Sequence, residues 1–284
     1  MKSFTNIFLL ISSLLLAWCD LSAADLRLHF IAVGHGDAIL IEADGRGIAL
    51  VDAGLPEAGW VLLEYLRTLG IKRLEHLFVT HTHDDHIGGV PIILDSLEVG
   101  IIHHTGMISD WETALTFDRY IKSGKWLLDT VDVGDIPISL GDLTVEILNP
   151  QKEETAGRRV DPNPNSMVLM VTHGEVKILL TADIDRKREK KLIRQFGPHL
   201  RSNAMKASHH ASGSGNGKEF LEAVQPEVIV VTVGPNKWGY PAERTMKRLR
   251  KFCPRVLRTD EVGTVILTSD GKSVTVSTPG STEP

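Results

Sequence analysis

The chain has few cysteines and few aromatic residues, and neither positive nor negative charge is in large excess. Two cysteines among 284 residues exclude a disulfide scaffold and a cysteine-rich zinc module. The net charge of −5 excludes a strongly basic, histone-like nucleic-acid binder, although it is compatible with an enzyme that has a local basic groove. Hydrophobic residues make up 42% and charged residues 24%, which is typical of a globular protein. Histidine, by contrast, occurs twelve times, and the spacing of these histidines decides the interpretation.

Residues 1–24 are predicted to be a secretory signal peptide. Lys2 precedes an apolar run from Ile7 to Trp18, and small residues follow this run, as in a cleavable export signal. The run is shorter than the roughly 20 apolar residues of a membrane-spanning helix, and a retained anchor is the alternative. A lipoprotein attached through Cys19 is less favoured because the bulky Trp18 precedes that cysteine. We therefore expect a periplasmic or secreted protein with no membrane span after cleavage.

Residues 25–284 are predicted to form a single domain in which strands and helices alternate. Apolar residues recur at helical spacing between Pro56 and Gly70, a pattern with typical start and stop residues. Strands are predicted at 26–30, 38–42, 48–52, 76–80, 144–148, 167–172, 177–181, 228–233, 256–259 and 264–268, and further helices at 87–96, 184–196, 217–224 and 242–252. This alternation predicts one layered α/β domain with two sheets between helices.

A dense group of metal-binding residue types follows the strand predicted at 76–80. It reads His81-Thr82-His83-Asp84-Asp85-His86. In an extended segment His81 and His83 point to one side, and a turn at Asp84 allows Asp85 and His86 to face a second position. Imidazole and carboxylate ligands suit Zn²⁺ or Mn²⁺, and two such ions about 3.5–4 Å apart are the arrangement that hydrolyses phosphate esters. The alternative is a solvated, histidine-rich loop.

This motif and the segments around it resemble the metallo-β-lactamase superfamily, and in particular the soluble hydrolase domain of competence DNA-uptake proteins of the ComEC/Rec2 type. The resembling segments are residues 30–38, 50–54, 163–166, 179–183, 206–210, 233–241 and 258–261. The resemblance extends over residues 26–268. It implies an αββα four-layer sandwich, with the metal ions at one edge between the two sheets.

The resemblance also implies a ligand set for two divalent ions. The expected ligands are His81 and His83 for the first ion, Asp85 and His86 for the second, Asp183 as a bridge, and one of His209 and His210, with His210 slightly preferred, to complete the second. Asp85 and Asp183 are also expected to be catalytic, because they would position the attacking water. Asp52 is expected to orient a ligand histidine from behind.

Several residues depart from the family pattern. His35 replaces a glutamine, Ala211 replaces a glycine, and Tyr240 replaces a histidine expected to touch substrate. Asn163 and Asn165 occupy a region where many members have a further histidine, so the first metal site is expected to be weaker, more open or better suited to Mn²⁺. We take Asn163, Asn165 and Tyr240 as candidate substrate-binding residues.

The sequence thus predicts an exported, binuclear metal-dependent hydrolase that cleaves a phosphodiester through a metal-bridging hydroxide. DNA is the first candidate substrate, on the strength of the resemblance. Alternatives on the same fold are a phosphorylcholine-type esterase, a lactonase and a β-lactamase, and from another class a non-catalytic binding module. Basic residues at 186–191 and 244–258 predict either a solvated helix face or a surface that follows phosphates. No protein partner is inferred.

Overall fold

The computed structural model describes residues 26–43 and 46–279, so the predicted signal peptide lies outside the described residues. The first sheet contains β1 (Leu26–Phe30), β2 (Ile39–Ala43), β3 (Arg46–Val51), β4 (Arg73–Val79), β5 (Glu98–His104), β6 (Leu127–Thr130), β14 (Val265–Ser269) and β15 (Val274–Ser277), in the order β15-β14-β1-β2-β3-β4-β5-β6. The second contains β7 (Ile138–Leu140), β8 (Leu143–Asn149), β9 (Val168–His173), β10 (Val176–Leu180), β11 (Ala204–Lys206), β12 (Val228–Val231) and β13 (Arg255–Arg258), in the order β13-β12-β11-β10-β9-β8-β7.

Helices connect many of these strands. They are α1 (Ala58–Thr68), α2 (Asp84–Ile87), α3 (Val90–Ser96), α4 (Glu112–Ile121), α5 (Lys152–Thr155), α6 (Arg186–Phe196), α7 (Lys218–Val224), α8 (Glu243–Phe252) and α9 (Thr259–Val262), with 3₁₀ turns at Gly197–Leu200 and Ser208–Ala211. Within the part of the chain that the structure describes, no helix is long and apolar enough to span a bilayer.

Three apolar layers hold the two sheets and the helices together. Phe78 of β4 points between the sheets, while its neighbour Leu77 points to the outer face, as the two-residue period of a strand requires. Leu77 packs in one layer with Leu62 of α1, and Phe220 of α7 packs in another on the outer face of the second sheet. Each such side chain contributes about 1.5–3 kcal/mol when fully buried. The αββα four-layer sandwich is therefore confirmed.

In each sheet the strands on one side, as far as the edge strand, run parallel. β3, β4, β5 and β6 are parallel neighbours, and so are β10, β11, β12 and β13. Carboxyl ends of parallel strands meet at one sheet edge, which is where ligands bind in open α/β sheets. The segments after β3, β4, β10, β11 and β12 thus converge at one edge of the sandwich.

The helix predicted at 87–96 is divided into α2 and α3 by a pair of glycines. A side chain on Gly88 would place its Cβ 2.3 Å from Pro56, and one on Gly89 would place it 2.2 Å from the carbonyl oxygen of Ala53. Glycine is required at both positions because the backbone after β3 passes this close. The predicted helix is found as α3, which begins at Val90 and not at Ile87, and the close approach fixes α2 against the loop after β3.

Candidate metal centre

The predicted ligands converge at this edge from both sheets. His81, His83, Asp85 and His86 follow β4 of the first sheet, whereas Asp183 follows β10 and the pair His209 and His210 follows β11 of the second. His83, Asp85, Asp183 and His209 line a cavity of about 440 Å³. Thus the strand ends bring together residues that lie far apart in the sequence.

The Asp183 carboxylate lies between two pairs of imidazoles. Its Oδ2 atom is 4.0 Å from His81 Nε2 and 3.7 Å from His209 Nε2. Its Oδ1 atom is 3.5 Å from both His86 Nε2 and His210 Nε2. One carboxylate oxygen therefore faces each of two neighbouring positions, as a bridging ligand requires.

Further donors lie at each of these positions. At the first, His83 Nδ1 is 3.1 Å from His81 Nε2. At the second, Asp85 Oδ2 is 3.3 Å from His210 Nε2 and 3.4 Å from His35 Nε2. His35 was not among the residues predicted for the site, although histidine at the position of the family's glutamine, in the segment Gly34–Asp37, was the available signal.

The paired histidines adopt an unusual backbone conformation. His209, His210 and Ala211 have φ angles of 49°, 50° and 58°, in the left-handed region that costs a non-glycine residue roughly 1–2 kcal/mol. With this backbone conformation the two neighbouring histidines face different oxygens of Asp183: His209 faces Oδ2 and His210 faces Oδ1. Strained backbone of this kind is concentrated at functional sites.

Hydrogen bonds behind two imidazoles fix which nitrogen faces the centre. His86 Nδ1 lies 2.7 Å from Asp52 Oδ2, and Asp52 also accepts hydrogen bonds from the Thr80 hydroxyl and backbone N–H. His210 Nδ1 lies 2.7 Å from the carbonyl oxygen of Thr232. Since a carbonyl only accepts, His210 Nδ1 carries a proton and directs Nε2 inward.

The buried polar atoms of the centre fit a metal. Nε2 of His86, Nε2 of His210 and Oδ1 of Asn163 are buried and have no hydrogen-bond partner among the described residues. Leaving such atoms unpaired costs about 1–3 kcal/mol each. Histidine nitrogens and carboxylate oxygens grouped this closely are the ligands of Zn²⁺ and Mn²⁺.

A buried lysine that was not predicted lies behind the metal ligands. Lys206 Nζ is 2.9 Å from Asp37 Oδ2 and 3.4 Å from Asp183 Oδ1, and it donates to the carbonyl oxygen of Ala182 at 2.8 Å. The signal in the sequence was a lysine next to the apolar pair Ala204 and Met205. Lys206 balances part of the negative charge of the site.

The charges of the site are strongly interdependent. Burial alone would raise the pKa of Asp183, but His210, His86 and Lys206 hold that pKa well below its usual range. Burial alone would lower the pKa of His210, but the Asp183 carboxylate raises it to about 9. A metal that binds His210 must therefore displace a proton near neutral pH, so metal affinity depends on pH.

Aromatic side chains line the mouth of the cavity. Trp111, Trp238 and Tyr240 line the cavity, and the rings of Trp238 and Tyr240 are stacked with their centroids 6.3 Å apart. Trp238 is about half exposed (51%), and Lys237 Nζ lies 5.2 Å from the centre of its ring. The cavity thus combines polar groups at its base with flat apolar walls.

The two predicted asparagines have different surroundings. Asn163 lines the cavity, and its Nδ2 is 3.5 Å from His209 Nε2. Asn165 donates to the carbonyl oxygen of Asp161 and accepts a hydrogen bond from Arg188 at 2.6 Å. The side chain of Asn165 is therefore engaged by protein groups, whereas that of Asn163 faces the site.

The basic residues of α6 are divided between two surroundings. Arg188 and Lys191 form ion pairs with Glu154. A separate cleft of about 340 Å³ is lined by Arg186, Lys190, Lys218 and Arg248 together with Glu189 and Glu219. The basic run is thus not one continuous surface.

Comparison with known proteins identifies relatives. The family model described as "Metallo-beta-lactamase superfamily" matches residues 31–232. "ComE operon protein 3" of Bacillus subtilis (strain 168) is 28% identical over 258 residues, which cover 84% of this chain and 32% of that protein. "Competence protein ComA" of Neisseria gonorrhoeae is 29% identical over 232 residues, which cover 81% and 30%. The chain spans about a third of the length of these relatives.

A solved structure shares the fold. It is described as Tm1679, a metal-dependent hydrolase of the beta-lactamase superfamily. It superposes with a TM-score of 0.53 at 17% identity, over 84% of this chain and 98% of that one.

Proposed function

The chain belongs to the metallo-β-lactamase superfamily of metal-dependent hydrolases, and we propose that it binds two divalent ions, Zn²⁺ or Mn²⁺, and cleaves a phosphodiester. The resemblance to the metallo-β-lactamase superfamily and to competence proteins, inferred from the sequence, is confirmed. DNA is the first candidate substrate within this proposal.

The observation that carries the proposal is the Asp183 carboxylate, which has one oxygen toward each of two imidazole pairs. The ligands we assign are His81, His83 and His209 at the first position, Asp85, His86 and His210 at the second, and Asp183 at both. The paired histidines then serve one position each, and His209 supplies the third imidazole that the Asn163 region lacks. Bound there, two divalent ions would lower the pKa of a water and neutralise charge on the phosphoryl oxygens.

The chain's own residues would orient the reaction. The side chain of Asp85 is 15% exposed and that of Asp183 is 2% exposed, so Asp85 is the carboxylate more accessible to a water in the cavity. Asn163 lines the cavity and has an amide nitrogen that can donate to a phosphoryl oxygen. Asp52 would keep the His86 ring in the orientation that binds metal.

The walls of the cavity favour a phosphate ester that carries a flat group. Trp111 and Trp238 offer surfaces on which a base could stack, an interaction worth about 1–3 kcal/mol per base. Lys237 at the Trp238 ring would attract a phosphate and repel a quaternary ammonium group. A phosphorylcholine ester is the second candidate, because aromatic walls also bind a quaternary ammonium group. The positive charge of Lys237 beside Trp238 makes this substrate less favoured than a nucleic acid.

A substrate panel tests the proposal. The purified protein, loaded with Mn²⁺ or Zn²⁺, is assayed on DNA, RNA, bis-p-nitrophenyl phosphate, p-nitrophenyl phosphorylcholine, a lactone and a β-lactam, with Asp183→Ala as the inactive control. We expect cleavage of the diesters. Turnover of only the phosphorylcholine ester, which is itself a phosphodiester, would exclude DNA as the substrate but not the cleavage of a diester. Turnover of only the lactone or the β-lactam would instead identify a lactonase or a β-lactamase. Two bound ions without turnover of any substrate would support the binding module.

Export is proposed from residues 1–24 alone. Expression of the full chain in a bacterium should yield a periplasmic or secreted product that begins near Asp25. N-terminal sequencing or mass spectrometry that finds Met1 retained, or a lipid on Cys19, would contradict cleavage.

A further inference from the structure

His35 is held in the centre by a loop that fits closely against Asp85. This loop joins β1 to β2, and the backbone N–H of Asp37 donates to the carbonyl oxygen of Asp85 at 3.1 Å. A Cβ on Gly36 would lie 2.1 Å from the same oxygen, so only glycine permits this approach. The loop therefore has little freedom to move its neighbour His35 away from the second position.

The His35 ring is buried with one nitrogen directed at a metal ligand. Its residue exposure is 3%. His35 Nε2 and His210 Nε2 lie 3.4 Å and 3.3 Å from the same oxygen, Asp85 Oδ2, and the ligand atoms of the three residues are all within 4.8 Å of one another. The spacing leaves room for one ion among these three atoms.

Protein contacts alone do not explain the burial of this imidazole. His35 Nδ1 is buried and has no hydrogen-bond partner among the described residues. The other contacts of the ring are packing against His210, Trp238 and Tyr240 at centroid distances of 4.5, 5.0 and 6.1 Å. Burying an imidazole with one nitrogen unpaired is unfavourable. A metal bound at Nε2 would leave Nδ1 unpaired but would add a favourable interaction that outweighs the cost of burying the ring.

We propose that His35 is an additional ligand of the second metal position. This inference rests on the proposed function, because it requires an ion between Asp85 and His210. His35, Asp85 and His210 form one close group, and Asp183 Oδ1 lies 3.5 Å from both His210 Nε2 and His86 Nε2. An ion that contacts this group together with Asp183 and His86 would have five protein donors, and one water would complete six-fold coordination. Zn²⁺ in proteins is usually four-coordinate, whereas Mn²⁺ accepts six ligands. His35 thus makes the second position selective for a six-coordinate ion.

Metal titration tests the role of His35 directly. Chelator-stripped wild type, His35→Ala and His35→Gln are titrated with Mn²⁺ by calorimetry, and with Co²⁺ while the visible spectrum is recorded. We expect two sites in the wild type. In His35→Ala the Kd of one Mn²⁺ site should rise 10- to 100-fold, a range typical for the loss of a group that supports a metal site. The Co²⁺ spectrum of that site should change as its coordination number falls.

The controls separate this inference from the proposed function. His104→Ala removes a histidine outside both ligand sets and should leave both Kd values unchanged. Unchanged Kd values and spectra in His35→Ala would overturn the role of His35 while two metals still bind. Fewer than two sites in the wild type would overturn the binuclear function and this inference with it. If His35→Ala does not fold, as judged by thermal unfolding, the same comparison is made with His35→Gln, whose amide oxygen is expected to give a smaller loss.

Discussion

Lys206 Nζ and Asp37 Oδ2 form a fully buried ion pair at 2.9 Å. The pair lies directly behind Asp183, whose Oδ1 atom is 3.4 Å from the same ammonium group. Asp37 is fixed from its other oxygen by the Thr232 hydroxyl at 2.5 Å. The lysine is therefore a permanent positive charge within a site that has several carboxylates.

Replacing Lys206 by methionine should strongly destabilise the metal-free protein. The free energy of unfolding should fall by about 3–5 kcal/mol, because Asp37 and Asp183 would lose a buried partner. Bound divalent ions would compensate part of the charge, so the loss should be smaller with metal. Urea denaturation with and without chelator measures both values. The control Lys191→Met, at a partly exposed pair with Glu154, should cost about 1 kcal/mol or less. A similar small loss for Lys206→Met would contradict the role assigned to this lysine.

Asp183→Ala should reduce metal occupancy at both positions. Each carboxylate oxygen faces a different imidazole pair, so removing the side chain takes a ligand from each. Metal analysis after gel filtration measures the stoichiometry, and we expect fewer than one ion per chain. A variant that retains two ions would exclude Asp183 as the bridge.

Asp52→Asn should weaken the second position selectively. An asparagine can present its N–H₂ group to His86 Nδ1, which would move the imidazole proton to Nε2 and block metal binding there. We expect a 10- to 100-fold increase in the Kd of one site. Thr80→Ser, which keeps the hydroxyl that donates to Asp52, is the matched control. Equal weakening of both sites would indicate general damage to the fold.

Glu189 should make stability depend on pH in a defined direction. Burial raises the pKa of Glu189 to about 7, despite hydrogen bonds from the backbone N–H groups of Gly217 and Asn216. The folded protein therefore holds this proton more tightly than the unfolded chain, and stability should fall as pH rises from about 4.5 to 7 and then level off. The upper limit of this effect is roughly 3 kcal/mol.

The comparison with Glu189→Gln isolates this contribution. Histidine titrations are common to both proteins, so the difference between their urea-denaturation curves at pH 5, 6, 7 and 8 reports on Glu189. The wild type should lose more stability across this range than the variant. Parallel pH profiles would show that Glu189 titrates normally.

If the substrate is DNA, the cleft beside α6 should contribute to its binding. Lys190→Gln combined with Lys218→Gln should raise KM for DNA and reduce its dependence on salt, because fewer phosphates are neutralised. Hydrolysis of bis-p-nitrophenyl phosphate should be unchanged, since these residues lie outside the metal cavity. Lys247→Gln, at an exposed pair with Glu243, is the control. An equal loss on both substrates would instead indicate damage to the metal centre.

Local patterns in the sequence predicted most of the fold and the grouping of candidate metal ligands in one loop. Strands such as β1 and β8 are apolar runs that turns delimit, and His81 to His86 are close in the chain as well as in space. The strands β5, β6, β7, β11 and β15 and the helices α4, α5 and α9 were not predicted. β7 and β11 have only three residues each, too few to establish a period.

Contacts between distant segments could not be read from local patterns. A lysine in a strand normally indicates an exposed face. Lys206 can be buried because Asp37 approaches from the loop after β1, and Asp183 and the carbonyl oxygen of Ala182 from the segment after β10. The difference between Asn163 and Asn165 depends on Arg188 of α6, which engages only the second. The resemblance to the family predicted which residues are ligands. Which imidazoles face each oxygen of Asp183 could be learned only from the three-dimensional structure.

The division of the ligands between the two sheets has a mechanical consequence. The first sheet contributes the motif after β4, and the second contributes Asp183 and the paired histidines after β10 and β11. Ions held between them would act as cross-links that join the two halves of the sandwich at this edge. Such ions bind the folded chain and stabilise it by RT ln(1 + [L]/Kd). Neither half has a complete coordination sphere by itself. Removal of the metal should therefore first weaken the contact between the two sheets at the edge where the ligands lie.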